Sequence, residues 1–135
     1  MTVTIHILED DTSVLDALSL LLEMNGERAV LHRSAESFFE ATPPVRDDLV
    51  IVDVGLPGIG GAEVIRWVRR LQDPPRVVAI SGQTESYLTR AFRHEPAPLV
   101  LRKPLDDKAL AALFADPRLG REGGAAPSKS DPDAM

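Results

Sequence analysis

Cysteine is absent from the 135 residues. That excludes disulfides, thiol catalysis, cysteine-ligated zinc and iron–sulfur clusters together, and it suits a reducing cytoplasmic compartment. Basic residues are outnumbered, with 15 Lys and Arg against 21 Asp and Glu, for a net charge of −6. A surface that neutralises nucleic-acid phosphates needs clustered Lys and Arg, so direct nucleic-acid binding is not expected. Cationic partners and metal ions stay open. No run of about 18 apolar residues occurs, so no membrane insertion is expected. The opening MTVTIHILEDD has neither a basic region nor a long apolar stretch, so a secretory leader is not expected. The glycines at 55, 58, 60 and 61 do not form G-x-G-x-x-G after the first strand, and the Lys-Ser/Thr phosphate-loop pattern is missing. His6, His32 and His94 have no metal-ligand spacing.

What is present fits one domain, at roughly 150 residues per domain. The hydrophobic fraction of 44% and the charged fraction of 27% are those of an ordinary globular chain. The composition changes at Pro117. Residues 117–135 hold three Gly, three Pro and only Leu119 and Met135 as large apolar residues. Such a segment cannot bury enough surface to offset its ordering entropy, so a disordered tail is expected behind a domain spanning 1–116. The tail charges cancel, which leaves the whole −6 on residues 1–116.

Those residues alternate between two patterns. Val3, Ile5 and Ile7 read as a strand ending at Leu8, and Val14, Leu18, Leu21 and Leu22 as a helix stopped by Asn25-Gly26. A strand over 29–32 precedes a short helix with Phe38 and Phe39, capped by Ser34 and ended by Pro43-Pro44. Leu49 to Val52 is an unbroken apolar run of the kind covered on both faces. Val64, Ile65, Val68 and Leu71 mark a third helix. Val77 to Ile80 reads as a strand, and residues 84–94 as a helix with Tyr87, Leu88, Ala91 and Phe92 inward. Leu99 to Leu101 reads as the last strand. Asp106 or Asp107 then caps a helix carrying Leu110, Leu113 and Phe114. His6 is expected to be partly exposed, His94 to lie near a helix end and Trp67 to be a half-buried packing residue. Five alternations imply βαβ crossovers and an α/β, doubly wound, five-stranded parallel sheet. A flavodoxin-like (βα)5 order of 2-1-3-4-5 is expected by analogy.

Ligands of open α/β sheets bind beyond the carboxyl ends of the strands. At that edge the pattern delivers Glu9 and Asp10, then Asp53, Ser81 and Lys103. Three neighbouring carboxylates repel one another, and a divalent cation with oxygen ligands, Mg²⁺ for preference, relieves that. Lys103 adds positive charge, Ser81 a hydroxyl, and Gly82 a close backbone approach. The set is a reception site for a phosphoryl group with Asp53 as the nucleophile. Taken singly each piece has a plainer reading: Glu9-Asp10-Asp11 as a helix-start cluster, Asp53 and Ser81-Gly82 as turn residues. The joint reading is preferred because these plain readings would all have to coincide at one sheet edge.

Ile7-Leu8-Glu9-Asp10-Asp11, Leu49 to Asp53 with Leu56-Pro57 and Gly61, Val78 to Gly82, and Leu101 to Pro104 stand in order at the strand ends. With them, residues 3–115 resemble the receiver domains of two-component response regulators, the CheY-like family. The resemblance implies that Asp53 accepts a phosphoryl group from a sensor histidine kinase or a histidine phosphotransfer protein. It implies that Glu9, Asp10, Asp53 and the backbone carbonyl of Gly55 hold Mg²⁺. Ser81 and Lys103 would contact phosphoryl oxygens, and Pro104 would follow a cis peptide bond. A downstream protein would meet the face of helix 4, strand 5 and helix 5. Such a module is not a conventional enzyme. It catalyses its own phosphorylation and a slow autodephosphorylation.

The sequence departs from the family at Val100, where an aromatic residue usually stands three positions before the lysine. That departure favours an alternative, a receiver-like interaction module that acts independently of phosphorylation. Glu95-Pro96-Ala97-Pro98 stiffens the approach to strand five. Gly55 and Gln83 flank the site, and a side-chain-free Gly55 is expected to leave water access open. A phosphatase with an aspartyl nucleophile is disfavoured, because Gly55 stands where its general acid would be. No output domain is read from the tail, so a stand-alone receiver or a piece of a longer protein is expected.

Overall fold

The computed structural model of the chain describes residues 4–115. Val3 and the expected tail over 117–135 lie outside the described residues. The elements run β1 (Thr4–Leu8), α1 (Thr12–Met24), β2 (Arg28–His32), α2 (Ala35–Glu40), β3 (Leu49–Asp53), α3 (Gly61–Arg69), β4 (Arg76–Ser81), α4 (Glu85–Ala91), β5 (Leu99–Arg102) and α5 (Asp107–Ala115). Two units are distinguished, Met1–Pro104 and Leu105–Met135. The first holds the sheet and α1 to α4. In the second, Asp106 Oδ1 accepts from the Ala109 N–H at 2.9 Å and so caps α5. Among the described residues no helix is long and apolar enough to cross a membrane.

All four strand pairs are parallel and the order is β2-β1-β3-β4-β5, the flavodoxin-like arrangement. Side chains alternate across a strand, so two cores form. On one face Leu8, Val50, Val52 and Ala79 pack with Phe38 of α2, Val64, Ile65 and Val68 of α3 and Leu88 of α4. Ile5, Ile7, Leu49, Ile51, Val78 and Ile80 belong to the other face and are fully buried, as are Leu15, Leu18 and Leu22 of α1 or nearly so. A parallel sheet covered on both sides leaves no wet face, which is why β3 is buried at all five positions.

That covering corrects the expectation for His6. It is buried, with Nε2 3.0 Å from Asp48 Oδ2. Its ring stacks on His32 at 6.0 Å and meets Phe38 edge-on at 6.2 Å. The Asp48 carboxylate also accepts from the N–H groups of Val45 and Thr4. Polar alternation along a strand reads as an exposed face only when that face is wet, and here α2 closes it. Trp67 is half-buried against Phe38 and Phe39, with ring centroids 5.7 and 4.9 Å away.

Three helix ends also differ from the pattern. α2 stops at Glu40, before the prolines, because Thr42 precedes Pro43 and is driven out of the helical region. Leu71 lies beyond α3, in the turn after Arg70. α4 ends at Ala91 rather than 94, since Glu95 precedes Pro96 and the chain tightens through Arg93 N–H to Arg90 O and Glu95 N–H to Phe92 O. Seven residues bury one narrow stripe, so Leu88 is inside and Tyr87, expected inward, is exposed.

So short a helix depends on its cap. Thr84 Oγ1 accepts from the Tyr87 N–H at 3.1 Å. Thr84→Ala is expected to lower stability by about 1 kcal/mol in urea unfolding, and an unchanged midpoint would remove the cap from the account.

Candidate functional site

The carboxyl ends of β1, β3, β4 and β5 form one polar edge. Leu8 is the last residue of β1, and Glu9 and Asp10 follow it directly. The Glu9 N–H donates to His32 O at 3.0 Å, which continues the ladder for one residue and turns the Glu9 side chain inside. Glu9 is fully buried and Asp10 is exposed. Asp11 ends the run as the N-cap of α1, its carboxylate accepting from the Ser13 and Val14 N–H groups. Asp53 is the final residue of β3 and only 5% exposed. Its Oδ1 accepts from the Gly55 N–H at 3.0 Å.

One ligand oxygen each from Glu9, Asp10 and Asp53 lies within 4.8 Å of the others. Lys103 Nζ stands 2.9 Å from Glu9 Oε1 and 3.3 Å from Asp53 Oδ2. The Glu9 contact is an ion pair lacking hydrogen-bond geometry, so Oε1 is buried without a hydrogen-bond donor. Glu9 Oε2 accepts from the Asp11 N–H at 3.2 Å.

Burial pushes Glu9 up to about 7, and the neighbouring Asp53 carboxylate adds to the rise; Lys103 and the Asp11 N–H oppose it. Burial also opposes the charge on Lys103, but the Glu9 contact and the charges of Asp53 and Glu9 outweigh it, and its pKa is raised. One lysine does not neutralise three carboxylates. The donors are all oxygen, and one of them is a buried carboxylate atom with no hydrogen bond. This is the chemistry of a hard divalent cation site, so the residues fit Mg²⁺.

Ser81 is fully buried at the end of β4. Its Oγ accepts from the Gln83 N–H at 2.9 Å, and its carbonyl accepts from the Lys103 N–H at 2.9 Å. The structure thus brings Glu9, Asp10, Asp53 and Lys103 into direct proximity and ties Ser81 to them through the Lys103 backbone. The peptide bond Lys103-Pro104 is cis, as the resemblance implies.

Two residues at the rim carry more than their sequence positions suggested. A side chain at Gly55 would find the Gln83 amide at once, since a Cβ built there lies 3.1 Å from Gln83 Nε2. The open approach expected beside Gly55 is therefore flanked by Gln83. Arg102 donates from Nη2 to the Gln83 carbonyl. With the Lys103 N–H on Ser81, two successive residues of the fifth-strand end grip the loop after β4. Arg102 stands inside the Leu101-to-Pro104 piece but was given no role there, and periodicity has no signal for a contact to a carbonyl. Gly61 is a packing requirement: a Cβ there would lie 2.3 Å from the Asp53 carbonyl oxygen and 2.7 Å from Val54 Cα.

Comparison with known proteins agrees with this geometry. The family model described as the response regulator receiver domain matches residues 5–115. The transcriptional regulatory protein FixJ of Azorhizobium caulinodans is 31% identical over 108 residues, which cover 80% of this chain and 51% of that protein. The transcriptional regulatory protein AfsQ1 of Streptomyces coelicolor is 38% identical over 106 residues, 78% of this chain and 47% of its own length. The chain spans about half the length of these curated relatives. Among solved structures, a CheY-like receiver domain protein from Methanospirillum hungatei superposes with a TM-score of 0.74 at 19% identity, covering 93% of this chain and all of the other. The structure titled FixJ-N gives 0.71 at 24% identity, covering 96% of this chain and 99% of that one. At these identities the two structures speak to the fold.

Proposed function

Because this chain belongs to the response regulator receiver domain family, we propose that it is the phosphoacceptor of a two-component phosphorelay, with Asp53 as the residue modified. The observation that carries the proposal is the pairing of Asp53 with Lys103 at 3.3 Å inside a three-carboxylate cleft. The donor is a phosphohistidine of a sensor histidine kinase or of a phosphotransfer protein. An Asp53 carboxylate oxygen attacks phosphorus, the phosphorus–nitrogen bond breaks, and the imidazole leaves with a proton from solvent. Lys103 then turns from a carboxylate partner into a phosphoryl-oxygen partner, and Ser81 offers its hydroxyl to another oxygen. The Gly55 N–H on Oδ1 holds the carboxylate in one orientation before attack.

Glu9, Asp10, Asp53 and the Gly55 carbonyl would hold Mg²⁺. Bound there, Mg²⁺ supplies the positive charge that lets three carboxylates and a phosphoryl group share one cleft. Incubation with Mg²⁺ and a small acyl phosphate, followed by intact-mass measurement, should show a gain of one phosphoryl group. An unchanged mass at saturating donor would remove the proposal.

The raised pKa of Glu9 makes cation binding pH-dependent. The group must be ionised to serve as a ligand, so apparent Mg²⁺ affinity should fall by up to about tenfold per pH unit below 7. Without the cation, a carboxyl whose folded pKa lies above its usual 4.5 stabilises the fold most at low pH. That contribution is lost as pH rises from 4.5 through about 7. Urea midpoints should therefore rise on adding Mg²⁺ more at pH 8 than at pH 6, and an equal rise would place the titrating group elsewhere.

Val100 supports a second reading, an interaction module that works without phosphorylation. It is half-buried on β5 and packs against the core formed with α2, α3 and α4. It also borders a cavity of about 830 Å³ with Leu88 and Phe92 of the α4 segment. There is no ring at this position to turn inward when Ser81 is drawn to a phosphoryl group. Amide spectra of α4 and β5 that stay fixed on adding beryllofluoride and Mg²⁺, with cleft signals shifting, would favour it.

A further inference from the structure

We propose that the concavity between α3 and α4 binds a small anion carrying two linked phosphates. The cavity measures about 670 Å³, and Arg66, Arg70, Arg90, Arg93, His94 and Glu95 line it. Four arginines thus line one space with a single acidic residue, in a chain whose net charge is −6.

The arginines of this region divide into two sets. Arg66 Nη1 lies 2.9 Å from Glu95 Oε2, and Arg69 donates to Pro96 O at 2.7 Å. These bonds tie α3 to the segment between α4 and β5. Arg70, Arg90 and Arg93 are exposed, and their side chains make no hydrogen bond or ion pair among the described residues. The C-terminal ends of helices favour cations, which gives arginine a place at the ends of both α3 and α4. It does not explain three uncompensated guanidinium groups around one concavity.

The ligand class follows from charge and shape. A guanidinium presents a planar fork that matches phosphate oxygens two at a time. A single phosphate brings about −1.5 to −2 and leaves part of three cations unmatched, whereas two linked phosphates cover them. The volume falls within the range of small-molecule sites. The site is separate from the acidic cleft. None of Glu9, Asp10, Asp53, Ser81 and Lys103 lines the concavity, whose walls come from α3 and from α4 with the residues that follow it.

The test uses the full chain, ¹⁵N-labelled, in Mg²⁺-free buffer with a chelator and moderate salt. Inorganic pyrophosphate, orthophosphate and a hexaglutamate peptide are titrated in turn. Pyrophosphate should give saturable shifts at residues 66–70 and 90–95, with orthophosphate at least about tenfold weaker. Arg90→Ser combined with Arg93→Ser should weaken pyrophosphate at least about tenfold and leave phosphoryl uptake at Asp53 unchanged. Arg70→Gln serves as a second variant should the double one lose its urea midpoint. Non-saturating shifts scattered over the surface would overturn the proposal, as would hexaglutamate binding where pyrophosphate does not, or a double variant that binds pyrophosphate as well as the parent.

Discussion

Asp53→Asn is expected to abolish phosphoryl uptake altogether, with wild type gaining one phosphoryl mass and the variant none. The change is nearly isosteric, yet it exchanges an anionic oxygen nucleophile for a neutral amide. Lys103 loses one of two carboxylate partners, at 3.3 Å, and keeps Glu9 at 2.9 Å. The fold should survive, because Asp53 sits at the end of β3 and its Oδ1 bond to the Gly55 N–H can be made by an amide oxygen. A second readout separates loss of chemistry from loss of structure. Asp53 contributes to the raised pKa of Glu9, so in the variant the Glu9 transition should move down from about 7. A variant that keeps the full mass gain, or one whose Glu9 transition does not move, would place the acceptor or the charge coupling elsewhere.

Gly61→Ala should be the most damaging single methyl that can be added near the site, costing on the order of 3 kcal/mol. Glycine to alanine inside a helix usually helps, since alanine is the better helix former by about 1 kcal/mol. Here the sign reverses because of backbone, which cannot rotate away. The new Cβ would lie 2.3 Å from the Asp53 carbonyl oxygen and 2.7 Å from Val54 Cα. To relieve the clash, α3 must back off from the end of β3 and carry Asp53 with it. Phosphoryl uptake should therefore slow along with the drop in urea midpoint. Gly60→Ala is the control. A Cβ there meets nothing within 4 Å, and its φ of −76° is ordinary for any residue. Equal midpoints for the two variants would show that the contact at Gly61 relaxes at little cost.

The polar edge was readable because its residues follow apolar runs. Leu49 to Val52 can only be a buried strand, so Asp53 must stand at its end, and the same logic puts Glu9, Ser81 and Lys103 at theirs. Helix ends were less readable. Periodicity carried α4 to residue 94, whereas Pro96 acts one residue earlier through Glu95 and the helix stops at Ala91. With three residues gone, Tyr87 has no second turn of partners and remains outside.

Order along the chain was therefore enough to establish alternating strands and helices and which side chains arrive at a common edge, because hydrophobic period and strand ends are local properties. It could not say that His6 is buried on Asp48, that Gln83 flanks the space beside Gly55, that Arg102 holds the Gln83 carbonyl, or that four arginines line one hollow. Each of these is a contact between residues 19 or more positions apart, or a void between two helices. Such contacts depend on how the layers pack and which faces are covered, and no residue's own neighbours in sequence encode that.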